Sequence, residues 1–195
     1  MPYDPADFPP ATSHRAIAKA MTGPICFTAA LNLQEWIRDL LQAGFTPGER
    51  LVHPPAHDQL VFEVTDLAGL LTARAEYGSH WPTRTMLGPT CGESWWVSCP
   101  GLIPTAAILQ AAGDLTATGN DPGTRLEAAG WIPTADGQDG VAAWSLPDAS
   151  RGAHRVEEGP DHGWLIHRTD LAWQPVISAA LTTPPGVIAA LALTG

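Results

Sequence analysis

Two stretches of the chain place hydrophobic residues at helical spacing and then change to runs typical of strands. In the first, apolar residues recur at helical intervals from Leu33 to Leu41, and Gly44 supplies the stop. Four strands are predicted after it, at residues 60–65, 70–76, 83–87 and 94–98. Pro104 suits the first turn of a closing helix, which we expect to end at Gly113.

The second stretch follows the same order. A helix is predicted at residues 124–129, and Gly130 ends it before Trp131. Four strands are predicted next, at residues 141–146, 152–157, 164–168 and 173–178. Pro185 then begins a last, strongly apolar helix.

Three pairs of segments align between the two stretches. They are residues 40–47 with 125–133, residues 62–66 with 144–148, and residues 94–113 with 171–195. Because these anchors fall in the same order, the sequence predicts an internal duplication. The predicted fold is α+β, with two tandem helix–four-strand–helix units at 33–113 and 124–195. Each unit would have an antiparallel sheet with helices on one face, and the two would form a pseudo-twofold pair.

Composition allows two further predictions, which concern the N-terminal segment and the cellular compartment. Residues 1–24 begin with a Pro-rich stretch and are expected to form a mobile arm with a short helix. The three cysteines show no disulfide spacing, and neither a secretion signal nor a membrane-length apolar run is evident. We therefore expect a cytoplasmic protein. The net charge of −10, from 10 basic and 20 acidic residues, argues against broad binding to duplex DNA.

The second unit also carries a family resemblance. The matching segments are LEAAGW (126–131), WSLPD (144–148), the pair Gly163 and Trp164, and the closing AW…ALTTPPGVIAAL (172–191). These resemble an actinobacterial domain of unknown function, family 317, named for a Ser-Pro-Asp-Tyr signature. The signature is altered here, because Leu146 separates Ser145 from Pro147 and Ala149 stands in place of Tyr. The resemblance implies tandem copies of one domain, a source near plasmids or mobile elements, and no particular activity.

Tryptophan is the feature of the composition that most suggests a ligand, with eight residues against two Tyr and four Phe. Aromatic side chains exposed on a sheet can stack on the bases of single-stranded nucleic acid. The candidate binding residues are the tryptophans and arginines on or beside predicted strands: Trp95, Trp96, Trp164, Trp173, Arg84, Arg151, Arg155 and Arg168. The alternative is that the tryptophans fill the core and the junction between units. Since Trp95 and Trp96 are adjacent, one of them should leave the helix-covered face.

A second hypothesis is a metal-dependent or cysteine-based enzyme. His53 and His57 are four residues apart, and Cys91 and Cys99 could complete a metal site or supply a nucleophile. However, two prolines between the histidines oppose a helix, and the cysteines lack the close spacing of a structural zinc site.

The sequence therefore favours a non-enzymatic binding module that acts through a protein partner or nucleic acid and needs no cofactor. Single-stranded nucleic acid is favoured over duplex. The metal-dependent or cysteine enzyme is one alternative, and a structural or assembly protein that forms a homo-oligomer is another.

Overall fold

The fold is taken from a computed structural model. It describes residues 24–48, 59–78, 81–92, 94–116, 121–134, 141–157, 162–168 and 177–194. The N-terminal arm as far as residue 23, its predicted short helix, His53, His57 and Trp173 lie outside the described residues.

Helices and strands follow one another in two similar runs. The described helices are α1 (Pro24–Gln42), α2 (Thr105–Asp114), α3 (Pro122–Ala128) and α4 (Pro185–Leu193). The first five strands are β1 (Thr46–Pro47), β2 (Gln59–Thr65), β3 (Leu71–Gly78), β4 (Trp81–Pro89) and β5 (Val97–Pro100). The other five are β6 (Ile132–Thr134), β7 (Val141–Ser145), β8 (Arg151–Val156), β9 (Gly163–Arg168) and β10 (Ile177–Ala179).

All ten strands belong to one sheet. Their spatial order is β1-β2-β3-β4-β5-β10-β9-β8-β7-β6, and each neighbouring pair is antiparallel. Two meanders therefore meet at the middle of the sheet. There β5 pairs with β10, with Ser98 opposite Ser178 and Val97 opposite Ala179.

The core lies between one face of the sheet and the helices. Side chains alternate along a strand, so residues in register across the sheet share a face. The strand residues in the main buried cluster all fall on one such face: Val64, Leu71, Ala73, Ala75, Leu87, Val97, Cys99, Trp144, Ala153, Trp164, Ile166 and Ala179. They pack with helix residues that include Leu40, Ile108, Leu126 and Ile188. We call the opposite side of the sheet the open face.

The two predicted glycine stops explain how α1 and α3 end. Gly44 and Gly130 adopt positive φ angles of 97° and 89°, which glycine tolerates best. The amide of the following aromatic residue then donates to a carbonyl of the last helical turn, from Phe45 to Leu40 and from Trp131 to Leu126. The aromatic ring is thereby directed into the core, where both rings are buried.

Helix α4 is buried on every side. All residues from Gly186 to Ala192 are buried, and the helix contacts α2, α3, β8 and β9. A helix that is apolar all round must be enclosed by other elements, as this one is. Among the described helices, none combines the length and the apolar character needed to cross a membrane.

The prediction of two helix–four-strand–helix units, each with its own sheet and arranged as a pseudo-twofold pair, is wrong. The described chain forms a single ten-stranded antiparallel sheet with four helices, a mixture of the α+β kind. Two causes account for the error. The inner strands β5 and β10 hydrogen-bond to each other, so no sheet ends there. In addition, β1 and β6 extend the two outer edges at segments where no strand was predicted.

Candidate interaction face

The open face is crossed by a continuous row of side chains. Each member is in register with the next, from β2 to β6: Glu63, Arg74, Met86, Ser98, Ser178, Leu165, His154, Ala143 and Thr134. We call this set the central row. Among the described residues, the helices lie on the other side of the sheet, and most of the central row is half-buried.

Trp96 lies just before β5, midway across the strand order of the sheet, where the two meanders meet. Its backbone carbonyl accepts hydrogen bonds from the Ala180 amide at 3.0 Å and the Thr183 hydroxyl at 3.1 Å. Its side chain is 45% exposed, whereas the neighbouring Trp95 is only 7% exposed. The two adjacent residues therefore differ in burial, with Trp95 in the core cluster and Trp96 exposed to solvent. A large exposed aromatic at the centre of a face is a common anchor for protein contacts.

The first half of the open face is charged. Arg74 pairs with Glu76 on its own strand, with Nη2 2.8 Å from Oε1. Arg84 on β4 is exposed, and its Nε donates to the Ser98 hydroxyl on β5 at 2.9 Å. Glu63 is opposite Arg74 in register. The two arginines are therefore matched by two glutamates, and this half of the face has no net charge.

The second half of the open face carries two histidines instead. The rings of His154 on β8 and His167 on β9 stack with centroids 5.0 Å apart and planes inclined by 28°. Gly152 makes this arrangement fit, because a Cβ added there would run into the His167 ring. Burial lowers the pKa of His167 below 6.5, and the neighbouring charge of His154 lowers it further. The arrangement therefore favours the uncharged form of His167.

The predicted binding tryptophans do not share one surface. Trp95 and Trp164 are buried in the core, and the Trp164 ring stacks on Trp144 with centroids 5.8 Å apart. A base could not stack on either ring without opening the core. Of the four predicted tryptophans, Trp96 is the one placed on the open face, and Trp173 lies outside the described residues.

The predicted binding arginines are also divided. Arg155 pairs with Asp121 at 3.3 Å and with Glu157 at 3.0 Å. Arg151 lies close to the C-terminal end of α4, where its Nη1 is 3.4 Å from the Leu193 carbonyl oxygen. A cation at this position is favoured by the helix dipole.

Two arginines from the same prediction remain. The backbone of Arg168 is in register with that of Arg151 on the neighbouring strand. Arg84 is the candidate whose exposed side chain lies on the open face.

Of the residues of the alternative metal or cysteine site, the two cysteines are described and differ in their surroundings, while His53 and His57 lie outside the described residues. Cys99 is buried in the core, and burial raises the pKa of its thiol to about 11, which opposes the thiolate that a ligand or nucleophile requires. Cys91 is exposed in the turn after β4. Among the described residues, no three His, Cys, Asp or Glu side chains come close enough to hold a metal ion.

Several open-face residues were not singled out from the sequence. Met86 and Leu165 join the central row only because their strands pair with β5 and β10, on either side of Ser98 and Ser178. Strand alternation places such residues on one face of their own strand. Alternation does not say which strands are neighbours, so the central row could not be predicted without the order of strands in the sheet.

Comparisons with known proteins leave the function open. Neither protein-family models, curated proteins nor solved structures give a match to this chain. The resemblance to the actinobacterial family therefore stays a prediction. The case for a function rests on the geometry of the open face.

Proposed function

We propose that this protein is a non-enzymatic binding module that recognises a protein partner through the open face of its sheet. The observation that carries the proposal is the exposed Trp96, midway across the strand order on the side of the sheet opposite the helices. The same face presents Met86, Leu165 and paired charges, a mixture of apolar and polar side chains that resembles protein interfaces.

The edges of the sheet are less suited to a partner than its face. Both edge strands are short, and each contains a proline, Pro47 in β1 and Pro133 in β6. Proline lacks the amide that an added strand would need, and short edges limit the number of backbone hydrogen bonds. Extension of the sheet by a partner strand is therefore disfavoured.

A protein partner is favoured over nucleic acid by the same face. Binding to single-stranded nucleic acid combines a cationic groove with a series of exposed aromatic rings. On the described open face, the two arginines are matched by two glutamates, and of the predicted binding tryptophans whose side chains are described, Trp96 is the one that is exposed. The excess of acidic residues over the whole chain also disfavours binding to the phosphates of nucleic acid.

The test compares three immobilised proteins: the natural chain, Trp96→Arg and the control Leu67→Arg. Leu67 is 85% exposed in the turn between β2 and β3, outside the strands that form the open face. Each is exposed to single-stranded DNA, duplex DNA and the proteins of a cell lysate. We expect the natural chain and the control to retain a protein that Trp96→Arg does not retain. Retention of DNA instead, or no dependence on Trp96, would refute the proposal.

A further inference from the structure

We infer that the partner on the open face is a second copy of this chain, packed face to face about a twofold axis. The inference rests on the proposed function, which assigns protein recognition to this face. Three observations carry it: the size of the face, its local charge and the position of Trp96.

The face has the size of a stable dimer interface. The central row crosses nine strands, from β2 to β6. On an inner strand such as β8, three residues face outward, namely Gly152, His154 and Val156. At about 4.8 Å between strands and 3.3 Å per residue, the face measures about 38 by 20 Å, or about 760 Å² on each copy. Stable interfaces commonly bury about 800 Å² per partner.

Local charge permits two acidic copies to meet at this surface. The chain carries a net charge of −10, so most approaches between copies are repulsive. On the described open face, however, Arg74 and Arg84 balance Glu63 and Glu76, and the second half presents the stacked imidazoles of His154 and His167 with no carboxylate among its described residues. The net negative charge of the chain is therefore carried by residues outside the described open face. A self-contact therefore costs less here than at the helix layer, where Asp39, Glu127 and other carboxylates are exposed.

The position of Trp96 suits a symmetric contact. The residue lies midway across the sheet, beside the pairing of β5 with β10. A twofold axis along that pairing would bring the Trp96 rings of both copies close to the axis and therefore close to each other. It would also place the charged half of each face against the histidine half of the other, so that like charges do not meet.

The experiment measures the mass of the full chain in solution by sedimentation velocity over a wide concentration range. The variants are Trp96→Arg and Ser178→Arg on the open face, with Leu67→Arg as the control. Ser178 is in register with Ser98 and provides a second variant should Trp96→Arg fail to fold. Circular dichroism shows whether each variant is folded. As a second readout, two differently tagged copies are co-expressed and one tag is captured.

We expect the natural chain and Leu67→Arg to form dimers that dissociate on dilution. Both open-face variants should weaken dimerisation by about tenfold or more, as truncation at interface centres commonly does. The captured tag should bring down the second copy in the natural chain and the control, and should bring down less of it in the open-face variants.

Two outcomes would overturn the inference. One is a natural chain that stays monomeric at every concentration, and the other is a dimer that is equally stable in all variants. If the chain is monomeric but still retains a lysate protein through Trp96, protein recognition survives and self-association fails. If neither a dimer nor a Trp96-dependent partner is found, both proposals fail.

Discussion

Strands β2 to β4 present two arginines and two glutamates on the open face, whereas β7 to β9 present a stacked histidine pair and small residues. Toward the helices, both halves of the sheet present aliphatic and aromatic side chains in one shared core. The two halves of the sheet thus carry different side chains on the open face and similar, apolar side chains on the face that packs against the helices. Packing constrains the inner side, and the outer side is free to differ in its chemistry.

The helices that close the two halves differ in a related way. Both α2 and α4 follow a proline N-cap and are about nine or ten residues long. Helix α2 keeps an exposed side, with Leu109 37% exposed, whereas α4 is enclosed on all sides. Tolerance of substitution should therefore be lower in α4 than in α2.

The largest expected effect comes from the second residue of each helix. A Cβ at Gly186 in α4 would collide with the backbone of Asp114, which cannot move without shifting α2. Gly186→Val should lower the free energy of unfolding by about 3 kcal/mol or more. The matched change Ala106→Val at an exposed position of α2 should cost less than about 1 kcal/mol. Urea unfolding of both variants measures the difference, and similar losses would contradict the comparison.

The turns after β2 and β7 give the next largest difference. Asp66 is buried, and its Oδ1 accepts from the Leu70 and Leu71 amides at 2.7 Å each. Asp66→Ala should cost about 1–3 kcal/mol because it leaves buried donors unpaired, while Asp66→Asn should retain most of the stability. Asp148 is exposed, and its bonds to the Ser150 amide and hydroxyl lower its pKa. Asp148→Ala should cost less than Asp66→Ala, and the reverse order in urea unfolding would refute this account.

A third pair of substitutions compares glycines on the open face. Gly152→Ala should displace the His167 ring and cost about 1 kcal/mol, since a Cβ would overlap it. At Gly88 in β4, a Cβ would meet only the Trp95 carbonyl oxygen at 3.7 Å, and Gly88→Ala should change stability by less than about 0.5 kcal/mol. NMR titration should also show the pKa of His167 rising toward 6.5 in Gly152→Ala. An unchanged His167 titration would mean that the ring does not lie over Gly152.

The smallest expected effect is the dependence of stability on pH that His167 supplies. Because the pKa of His167 lies below 6.5 in the folded chain, the unfolded chain takes up this proton first as the pH falls. The contribution of His167 to the free energy of unfolding is complete above pH 6.5. It is lost as the pH falls through the pKa that His167 has in the folded chain. Urea unfolding at about pH 7.5 and about pH 5.5 should show a smaller acid loss in His167→Gln than in the natural chain. Equal losses would exclude this role.

Much of the inner architecture could be predicted from the sequence. Helical spacing from Leu33 onward, the stops at Gly44 and Gly130, and the start of the last helix at Pro185 all appear in the structure. Most inner strands were also placed to within a few residues. These features are local, because they depend on spacing, on glycine at positive φ and on proline at a helix start.

The sheet order and the open face could not be predicted in the same way. Only long-range pairing of β5 with β10 unites the strands, and the edge strands β1 and β6 are too short to give a strand pattern. The tryptophan hypothesis had a similar weakness. Composition identified Trp95, Trp96 and Trp164 equally, whereas burial separates one exposed ring from two core rings.

Hydroxyl-radical footprinting across a range of protein concentrations tests most directly the claim that the open face is a recognition surface. In dilute protein, Trp96 should be oxidised readily while Trp95, Trp144 and Trp164 are protected. As the concentration rises, Trp96 should become protected, and Leu67 should stay reactive throughout. Protection of Trp96 in dilute protein to the same degree as the buried tryptophans, or reactivity as constant as that of Leu67, would contradict the account.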